Sequence, residues 1–212
     1  AGGKDLGVVE QLLRDAHRLE VTLTQEDAAR LVKLIDELAR WNEEFNLTGI
    51  KTQPQMLTHH LLDSLAVNAD LAGERIADVG TGAGFPGLPL AVANPQRHFT
   101  LIDSTAKKLR FVSHAAQLLG LANVSVLHER VEKMRPAAPF DTVVARAFAP
   151  LPRLLQTVMP LCGPDTRVLA MKGHRPVEEL AALKAPWQVV QERELTVPGL
   201  AAARCVIVLR RE

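Results

Sequence analysis

Two different spacings of apolar residues divide this chain near residue 70. In the first part, apolar side chains recur at every third or fourth position, which is the period of an amphipathic helix. The clearest examples are Leu12, Leu13, Ala16 and Leu19, and then Leu31, Leu34, Ile35 and Leu38. Thr24 followed by Asp27 is typical of a helix start. The pattern predicts a helical extension over residues 1–70 that packs on the rest of the chain.

Short apolar runs replace the helical period after residue 74. Stretches of helix length separate the first five runs, which is the pattern of βαβ units around a parallel sheet. The last two runs lack such a stretch between them, so these strands should pair antiparallel. The seven predicted strands are Ile76–Val79, Phe99–Ile102, Val124–Leu127, Thr142–Ala145, Val168–Met171, Gln188–Glu194 and Cys205–Leu209. We therefore predict a Rossmann-like α/β domain over residues 71–212, mostly parallel with an antiparallel last strand, that forms one compact unit with the helical extension.

The composition suits a single α/β domain with a large core. The chain has 212 residues, of which 47% are hydrophobic, and its apolar runs are all shorter than a membrane span requires. We expect a cytoplasmic protein with no membrane partner. Cys162 and Cys205 are too few for a disulfide framework, and we expect both to be buried, reduced and inert. A net charge of +1 is small for a protein that binds nucleic acid through its phosphates.

The clearest candidate for a ligand site follows the first predicted strand. From Asp78 to Gly87 the sequence reads Asp-Val-Gly-Thr-Gly-Ala-Gly-Phe-Pro-Gly, with glycine at the alternate positions 80, 82 and 84. Glycine permits a positive φ and lets a ligand approach the backbone closely. The G-x-G-x-G spacing differs from the G-x-G-x-x-G fingerprint of nicotinamide and flavin proteins, and the segment lacks the G-K-[ST] ending of a P-loop. The spacing therefore disfavours those cofactors.

A second carboxylate supports a nucleoside site. Asp103 ends the second predicted strand, at the sheet edge where ligands of open α/β sheets bind. A carboxylate there can accept hydrogen bonds from both ribose hydroxyls of an adenosine. A glycine-rich turn alone is more often just a tight turn, but Asp78 and Asp103 on either side of it favour a nucleoside site. The reversed last strand is typical of the methyltransferase version of this sheet.

Two kinds of base methylation do not fit the sequence. Enzymes that methylate exocyclic amino groups usually carry Asn or Asp, then Pro-Pro and an aromatic residue, after the fourth strand, where this chain has Val144-Ala145-Arg146-Ala147-Phe148-Ala149-Pro150. Carbon-5 methylation of pyrimidines needs a cysteine nucleophile, but Cys162 lies where a helix should be ending. A ring nitrogen such as guanine N7 has a lone pair and no proton, so its methylation needs alignment and electrostatics without a general base.

Seven motifs follow one another between about residue 30 and the C-terminus. They are Trp41 to Thr48, His59 to Leu65, Asp78 to Pro89, Asp103-Ser104, Arg130-Val131-Glu132, Arg146-Ala147-Phe148 and Met171-Lys172-Gly173. In this order they resemble the bacterial 16S rRNA guanine-N7 methyltransferases, the glucose-inhibited division protein B family. Residues 1–25 match nothing, and their role stays open. Ala83 and Phe85 stand where many members have proline and leucine, and neither change threatens the backbone geometry.

The resemblance implies a class I S-adenosylmethionine-dependent methyltransferase fold and a guanine substrate in 16S ribosomal RNA, with S-adenosylhomocysteine as a product. Because the net charge is small, we expect a small-subunit particle to present this RNA. The cofactor-binding residues that we expect are Asp78, Gly80, Thr81, Gly82, Gly84, Phe85, Asp103, Val131, Glu132 and Arg146. The expected substrate contacts are Asn46, Thr48, His59, His60, Asp63 and Ser64. Arg146 and Lys172 are expected to align the reactants or contact the substrate, and no general base is expected. We further expect no metal and a monomer.

Several of these residues also have a purely structural interpretation. Asn46-Leu47-Thr48 can form a capped turn, and His59 and His60 can be surface or capping residues. Arg146 can be a surface arginine that pairs with an acidic neighbour. A solvated helix face explains the positive charges near the sheet edge as well as RNA does. Those charges are Lys107, Lys108, Arg110, Arg97, His98, Arg130, Lys133 and Arg135.

The leading hypothesis is an RNA methyltransferase that acts on guanine N7. The first alternative is a nicotinamide-dependent oxidoreductase on a related sheet, which the G-x-G-x-G spacing and the reversed last strand disfavour. The second is a noncatalytic RNA or assembly factor that retains the nucleoside pocket. Cofactor binding separates the first alternative from the leading hypothesis, and single-turnover methyl transfer separates the second.

Overall fold

A seven-stranded sheet forms the centre of the protein. The computed structural model describes residues 2–146 and 149–212. The strands are β1 (Arg75–Val79), β2 (His98–Asp103), β3 (Val124–His128), β4 (Phe140–Arg146), β5 (Cys162–Lys172), β6 (Trp187–Leu195) and β7 (Arg204–Arg211). Their spatial order is β3-β2-β1-β4-β5-β7-β6, with parallel pairs from β3 to β5 and β7 antiparallel to both β5 and β6. This topology confirms the predicted mostly parallel sheet with a reversed last strand.

Among the described residues, four α-helices precede the sheet in the chain, and four more alternate with its strands. The α-helices are α1 (Gly2–Arg18), α2 (Gln25–Phe45), α3 (Gln53–Met56), α4 (Asp63–Leu65), α5 (Gly87–Ala93), α6 (Ala106–Leu118), α7 (Leu151–Val158) and α8 (Val177–Ala181). A π-helix spans Leu57–Leu62, between α3 and α4, and single 3-10 turns cover Asn68–Asp70, Val131–Lys133 and Met159–Leu161. None of the helices in the described part of the chain is long and apolar enough to cross a membrane.

Helix α2 begins at the capping box that the sequence predicts. The Thr24 hydroxyl accepts from the Asp27 amide at 3.0 Å, and the Asp27 carboxylate accepts from the Thr24 amide at 3.3 Å. These bonds satisfy amides that a helix start leaves without partners. Asn46 ends the helix in the left-handed region, at φ +50°, with its amide bonded to the Asn42 carbonyl.

The buried face of α2 joins the helical extension to the sheet. It packs against α5 and α6, and the Arg30 guanidinium donates to the Leu119 carbonyl at 3.0 Å. One buried apolar cluster contains Leu31 and Leu38 from α2 together with Phe99 from β2 and Phe111 from α6. The division at residue 70 stays a prediction, because these apolar contacts cross it without a break.

Strand β5 starts earlier than the sequence predicts. It begins at Cys162 instead of Val168, directly after the 3-10 turn at Met159–Leu161. The Cys162 thiol is buried and donates to the Val158 carbonyl at 3.3 Å, and burial raises its pKa to about 12. Cys205 is also buried and free. Neither cysteine has the lowered pKa that a nucleophile needs.

The carboxyl ends of the parallel strands bring the predicted site residues to one edge. In the sheet register Val79 lies beside Ala145 and Ile102, and Arg146 lies beside Met171. Asp103 ends β2 at the same edge. Because β7 runs in the opposite direction, it starts at this edge, with Cys205 beside Lys172.

Candidate active site

The glycine segment forms a tight loop between β1 and α5. The amides of Gly80 and Thr81 both donate to the Ile102 carbonyl, at 2.9 and 3.0 Å, so the loop is fixed to the end of β2. Gly82 has φ +58°, and a Cβ built on it would meet no other residue's atoms within 4 Å. Gly84 has φ +103°, and a Cβ there would lie 2.4 Å from Leu88 Cδ1. Gly84 is therefore required by packing, whereas Gly82 borders open space.

Asp78 holds the loop from beneath. Its Oδ2 accepts from the Thr81 hydroxyl at 2.6 Å and from the Gly87 amide at 2.8 Å. Burial raises the pKa of Asp78 to about 7, and its Oδ1 is buried with no hydrogen-bond partner among the described residues. The side chain therefore braces both ends of the loop.

Asp103 connects the loop to the end of β2. Its Oδ2 accepts from the Gly82 amide and its Oδ1 from the Thr105 amide, both at 2.8 Å. Each oxygen of an ionised carboxylate accepts about two hydrogen bonds, so one acceptor position per oxygen remains. Asp103 borders a cavity of about 400 Å³, within the size range of small-molecule sites. The other lining residues are Gly80, Ile102, Ser104, Glu129, Arg130, Val131, Glu132, Arg146 and Thr157.

Two further cavities open at the same edge of the sheet. One, of about 320 Å³, is lined by Ile50, His59, His60, Asp63, Arg146, Met171, Lys172, Gly173 and Arg204. The other, of about 450 Å³, is lined by Asn46, Leu47, Thr48, Gly49, His60, Gly80, Thr81, Gly82, Ala83, Phe85, Lys108 and Arg146. We call the three the Asp103, Asp63 and Thr48 cavities, after one lining residue of each. Arg146 borders all three, and His60 borders the second and third.

Arg146 reaches from the end of β4 to the π-helix. Its Nη1 donates to the His59 carbonyl at 3.1 Å and its Nη2 to His60 Nδ1 at 3.3 Å. Asp63 Oδ2 lies 3.7 Å from Nη1, and the guanidinium carbon is 5.9 Å from the centre of the Phe85 ring. Burial lowers the pKa of Arg146, although Asp63 and Asp78 oppose this shift. Arg146 is thus a partly buried cation at the junction of the three cavities.

His60 is the second residue at this junction. Its ring stacks on Phe85 with centroids 4.5 Å apart and 17° between the planes. Its Nε2 lies 3.0 Å from the Thr48 hydroxyl, which also accepts from the Ile50 amide at 3.2 Å. Burial, with smaller effects of Arg146 and His59, lowers the pKa of His60 to about 3. The ring is therefore neutral near pH 7.

The carboxylate of Asp63 lies between two guanidinium groups. Arg204 Nε donates to Asp63 Oδ1 at 3.2 Å, opposite the Arg146 contact. Burial raises the pKa of Asp63, against the effects of Arg146 and Arg204. Arg204 was not among the predicted site residues. The signal for it was available, since a reversed last strand begins at the edge where the parallel strands end.

Several other predicted residues are bonded to other parts of the protein or lie outside the cavity linings. Ser64 is fully buried, and its hydroxyl donates to the His60 carbonyl. The Lys172 ammonium borders the Asp63 cavity and donates to the Ala149 carbonyl at 2.8 Å and to Glu179 at 2.9 Å. The linings of the three cavities do not include Asp78, Gly84 or Ser64. Ala147 and Phe148 of the Arg146 motif lie outside the described residues.

Within residues 2–146 and 149–212, no group of three or more His, Cys, Asp or Glu side chains is arranged to hold a metal ion.

Comparison with known proteins identifies the family. Residues 27–208 match the model of the GidB family, described as rRNA small subunit methyltransferase G. This chain belongs to the rRNA small subunit methyltransferase G family. It is 46% identical to the ribosomal RNA small subunit methyltransferase G of Nitrosococcus oceani, over 91% of this chain and 90% of that protein. It is 44% identical to the protein of the same name from Pseudomonas paraeruginosa, over 95% of each chain.

A solved structure shares the fold of this member of the rRNA small subunit methyltransferase G family. It is an S-adenosylmethionine-dependent methyltransferase from Thiobacillus denitrificans in complex with S-adenosylhomocysteine, with a TM-score of 0.54. The two chains are 14% identical, and the match covers 71% of this chain and 91% of that one. The predicted class I methyltransferase fold is confirmed.

Proposed function

We propose that this protein transfers the methyl group of S-adenosylmethionine to N7 of a guanine in small-subunit ribosomal RNA. Family membership supports the cofactor and the class of RNA. The observation in the structure that carries the proposal is the position of Arg146, which borders the Asp103 cavity and both neighbouring cavities. A cofactor in one cavity and a base in the next would meet at this residue.

The residues of the Asp103 cavity fit an adenosyl group. Asp103 retains acceptor positions for ribose hydroxyls, and Val131 supplies an apolar surface beside Glu132 for the adenine. Gly80 borders both this cavity and the Thr48 cavity, so a ligand can pass the loop without meeting a side chain. The amino acid part of the cofactor would then lie toward Gly82, Phe85 and Arg146.

The reaction needs alignment more than acid or base chemistry. When bound, S-adenosylmethionine would supply a methyl group on a positively charged sulfur for displacement by the N7 lone pair of guanine. S-adenosylhomocysteine would leave, and the positive charge would pass to the base. N7 carries no proton, so none has to be removed. Arg146 stays protonated and can hold the methionine carboxylate or donate to guanine O6. His60 is neutral with both nitrogens engaged, which suits a positioning role.

We assign the base to the Asp63 cavity. Its lining combines the apolar Ile50 and Met171 with the polar His59, Asp63 and Lys172. A mixed lining of this kind suits a flat heteroaromatic ring whose edge carries donors and acceptors. Asn46 and Thr48 border the adjoining cavity, on the path by which the RNA strand would enter. Ser64 would contribute indirectly, since its hydroxyl bonds to the His60 carbonyl.

The substrate is proposed to be a small-subunit particle, and the enzyme a monomer. A net charge of +1 provides little general affinity for RNA, so a folded particle would have to present the target base. Light scattering after size exclusion tests the oligomeric state, for which we expect a molecular mass near 23.2 kDa.

The experiment that tests the function is methylation of purified small-subunit particles from a strain that lacks the gene. We expect one new guanine methylation that requires S-adenosylmethionine. N7-methylguanine is cationic, so borohydride reduction followed by aniline should cleave the RNA chain at that position. Methyl transfer without cleavage would show that another atom of the base is the acceptor. Absence of transfer in a single turnover, with intact S-adenosylhomocysteine binding, would favour the noncatalytic RNA or assembly factor.

The nicotinamide-dependent oxidoreductase is not favoured. Calorimetry with S-adenosylhomocysteine and NAD separates the two classes, and we expect binding of the first ligand only. Binding of NAD without S-adenosylhomocysteine would contradict the proposed function.

A further inference from the structure

Arg146 is held mainly by the π-helix. Its hydrogen bonds among the described residues go to the His59 carbonyl and to His60 Nδ1, at 3.1 and 3.3 Å. The nearest carboxylate, that of Asp63, is 3.7 Å away, beyond ordinary hydrogen-bond distance. Both of these acceptors therefore belong to consecutive residues of one π-helical turn. Such turns occur frequently at functional sites.

The hydrogen bonds of His60 determine which nitrogen carries its proton. A guanidinium only donates, so Nδ1 must accept from Arg146 and must be unprotonated. The proton of the neutral ring is then on Nε2, which donates to the Thr48 hydroxyl at 3.0 Å. The hydroxyl can accept this bond as well as the one from the Ile50 amide. His60 thus connects the Thr48 loop to Arg146 through one tautomer.

Packing fixes the plane of the ring as well. His60 is only 5% exposed and lies against Phe85 of the glycine loop, with centroids 4.5 Å apart. The Phe85 ring itself is buried. The ring also borders both the Asp63 cavity and the Thr48 cavity. A tilt of the ring out of this plane would break the stacking as well as the Arg146 bond, and the hydrogen bonds of the two nitrogens oppose a flip within the plane.

We propose that His60 is a positioning residue that acts through Arg146, by holding the guanidinium at the junction between the cofactor and the base. This inference rests on the proposed function. It departs from the expectation that His60 contacts the substrate, because Nδ1 faces Arg146 and Nε2 faces Thr48. Among the described residues, the charged and titratable groups that shift the pKa of the ring are Arg146 from β4 and His59 from the same helix. With a pKa of about 3, the ring is neutral near pH 7.

Three substitutions separate the parts of this role. His60→Phe keeps a flat ring against Phe85 but has no acceptor. His60→Asn keeps an acceptor near the position of Nδ1, and His60→Gln keeps a donor near that of Nε2. We expect kcat to fall at least about tenfold in His60→Phe and His60→Gln, while His60→Asn stays within about threefold of the wild type. Binding of S-adenosylhomocysteine should change less than about threefold in all three.

A double substitution tests whether His60 acts through Arg146. In an Arg146→Lys background, His60→Phe should cause little further loss, because the interaction that it removes is already broken. Multiplicative losses would overturn the inference, as would full activity of His60→Phe or equal losses in His60→Asn and His60→Phe. His98→Asn is the matched control, since His98 is exposed at the opposite end of β2, and it should leave the rate unchanged.

A measurement on the unmodified protein needs neither activity nor variants. Nitrogen-15 spectra of the imidazole rings should show His60 as the neutral Nε2–H tautomer from about pH 5 to pH 8. A ring that titrates near pH 6.5, or a proton on Nδ1, would overturn the inference even if methyl transfer is normal. The expected tautomer in a protein that transfers no methyl group would instead contradict the proposed function and leave the contact between His60 and Arg146 intact.

Discussion

At the scale of a single residue, the guanidinium of Arg146 makes hydrogen bonds that a lysine ammonium cannot reproduce. Two of its nitrogens donate in different directions, to a backbone carbonyl and to an imidazole nitrogen. A lysine ammonium keeps the charge but is a single point on a flexible chain, so it cannot reproduce a planar fork. The bonds place the guanidinium, and the charge alone does not.

Arg146→Lys should therefore lower the rate of methyl transfer at least about tenfold, which is about 1.4 kcal/mol of transition-state stabilisation. The melting temperature should stay nearly unchanged, because the charge and most of the packing remain. Single-turnover rates and thermal melting check the two expectations together. Arg153→Lys on the exposed face of α7 is the control. A near-normal rate in Arg146→Lys would remove Arg146 from the site.

Asp103→Ala tests the carboxylate at the end of β2. If charge-assisted hydrogen bonds to the ribose are lost, S-adenosylhomocysteine should bind more weakly by about 1.5 to 3 kcal/mol. Part of the loss would arise from the loop, because Asp103 also accepts from the Gly82 amide. Calorimetry measures the change, with Asp165→Ala as a control at a fully exposed side chain. A change within error would make Asp103 only a cap for the chain that follows β2.

At the scale of elements, the glycine loop and the π-helix carry out different tasks. The loop exposes backbone to the cavities and is braced by Asp78 and Asp103. The π-helix presents the backbone carbonyl of His59 and the Nδ1 of His60 to Arg146. The glycine spacing predicted the loop, since few residues other than glycine tolerate these φ angles. Nothing in the sequence pattern predicted the π-helix, because the apolar period around it also fits an α-helix.

Gly82→Val should abolish cofactor binding. A β-branched residue is strained at φ +58°, and its side chain would project into the open space that borders the loop. Gly120→Val is the matched control, because Gly120 has φ +65° and open space around it, at the end of α6. Both variants should lose stability, but only Gly82→Val should lose binding of S-adenosylhomocysteine in calorimetry. Normal binding by Gly82→Val would show that the ligand lies elsewhere.

At the scale of the whole molecule, charge and composition predict that isolated RNA is a poor ligand. The net charge is +1, and aromatic residues form only 4% of the chain. Strong binding of single-stranded RNA usually needs a basic surface or aromatic side chains on which bases stack. The target base is therefore expected to be presented by a folded particle, and the protein supplies the local site.

We accordingly expect weak binding to a short hairpin of small-subunit RNA, with an affinity that falls steeply as salt rises. Small-subunit particles should bind more tightly under the same conditions. Fluorescence anisotropy over a salt series compares the two ligands. Nanomolar binding to the hairpin that is insensitive to salt would contradict this expectation.

The sequence by itself determined the sheet, the glycine loop and the family. The apolar runs, the short last connection and the glycine spacing are local features, because period, turn length and φ preference act within a few residues. Tertiary structure alone decided which side chains meet. Arg204 reaches Asp63 from 141 positions along the chain, and Arg146 reaches His60 from 86. Contacts between residues so far apart in the chain depend on how the helices pack on the sheet. Only the folded chain therefore shows that Asp78 braces the glycine loop and that His60 lies at the junction of the cavities.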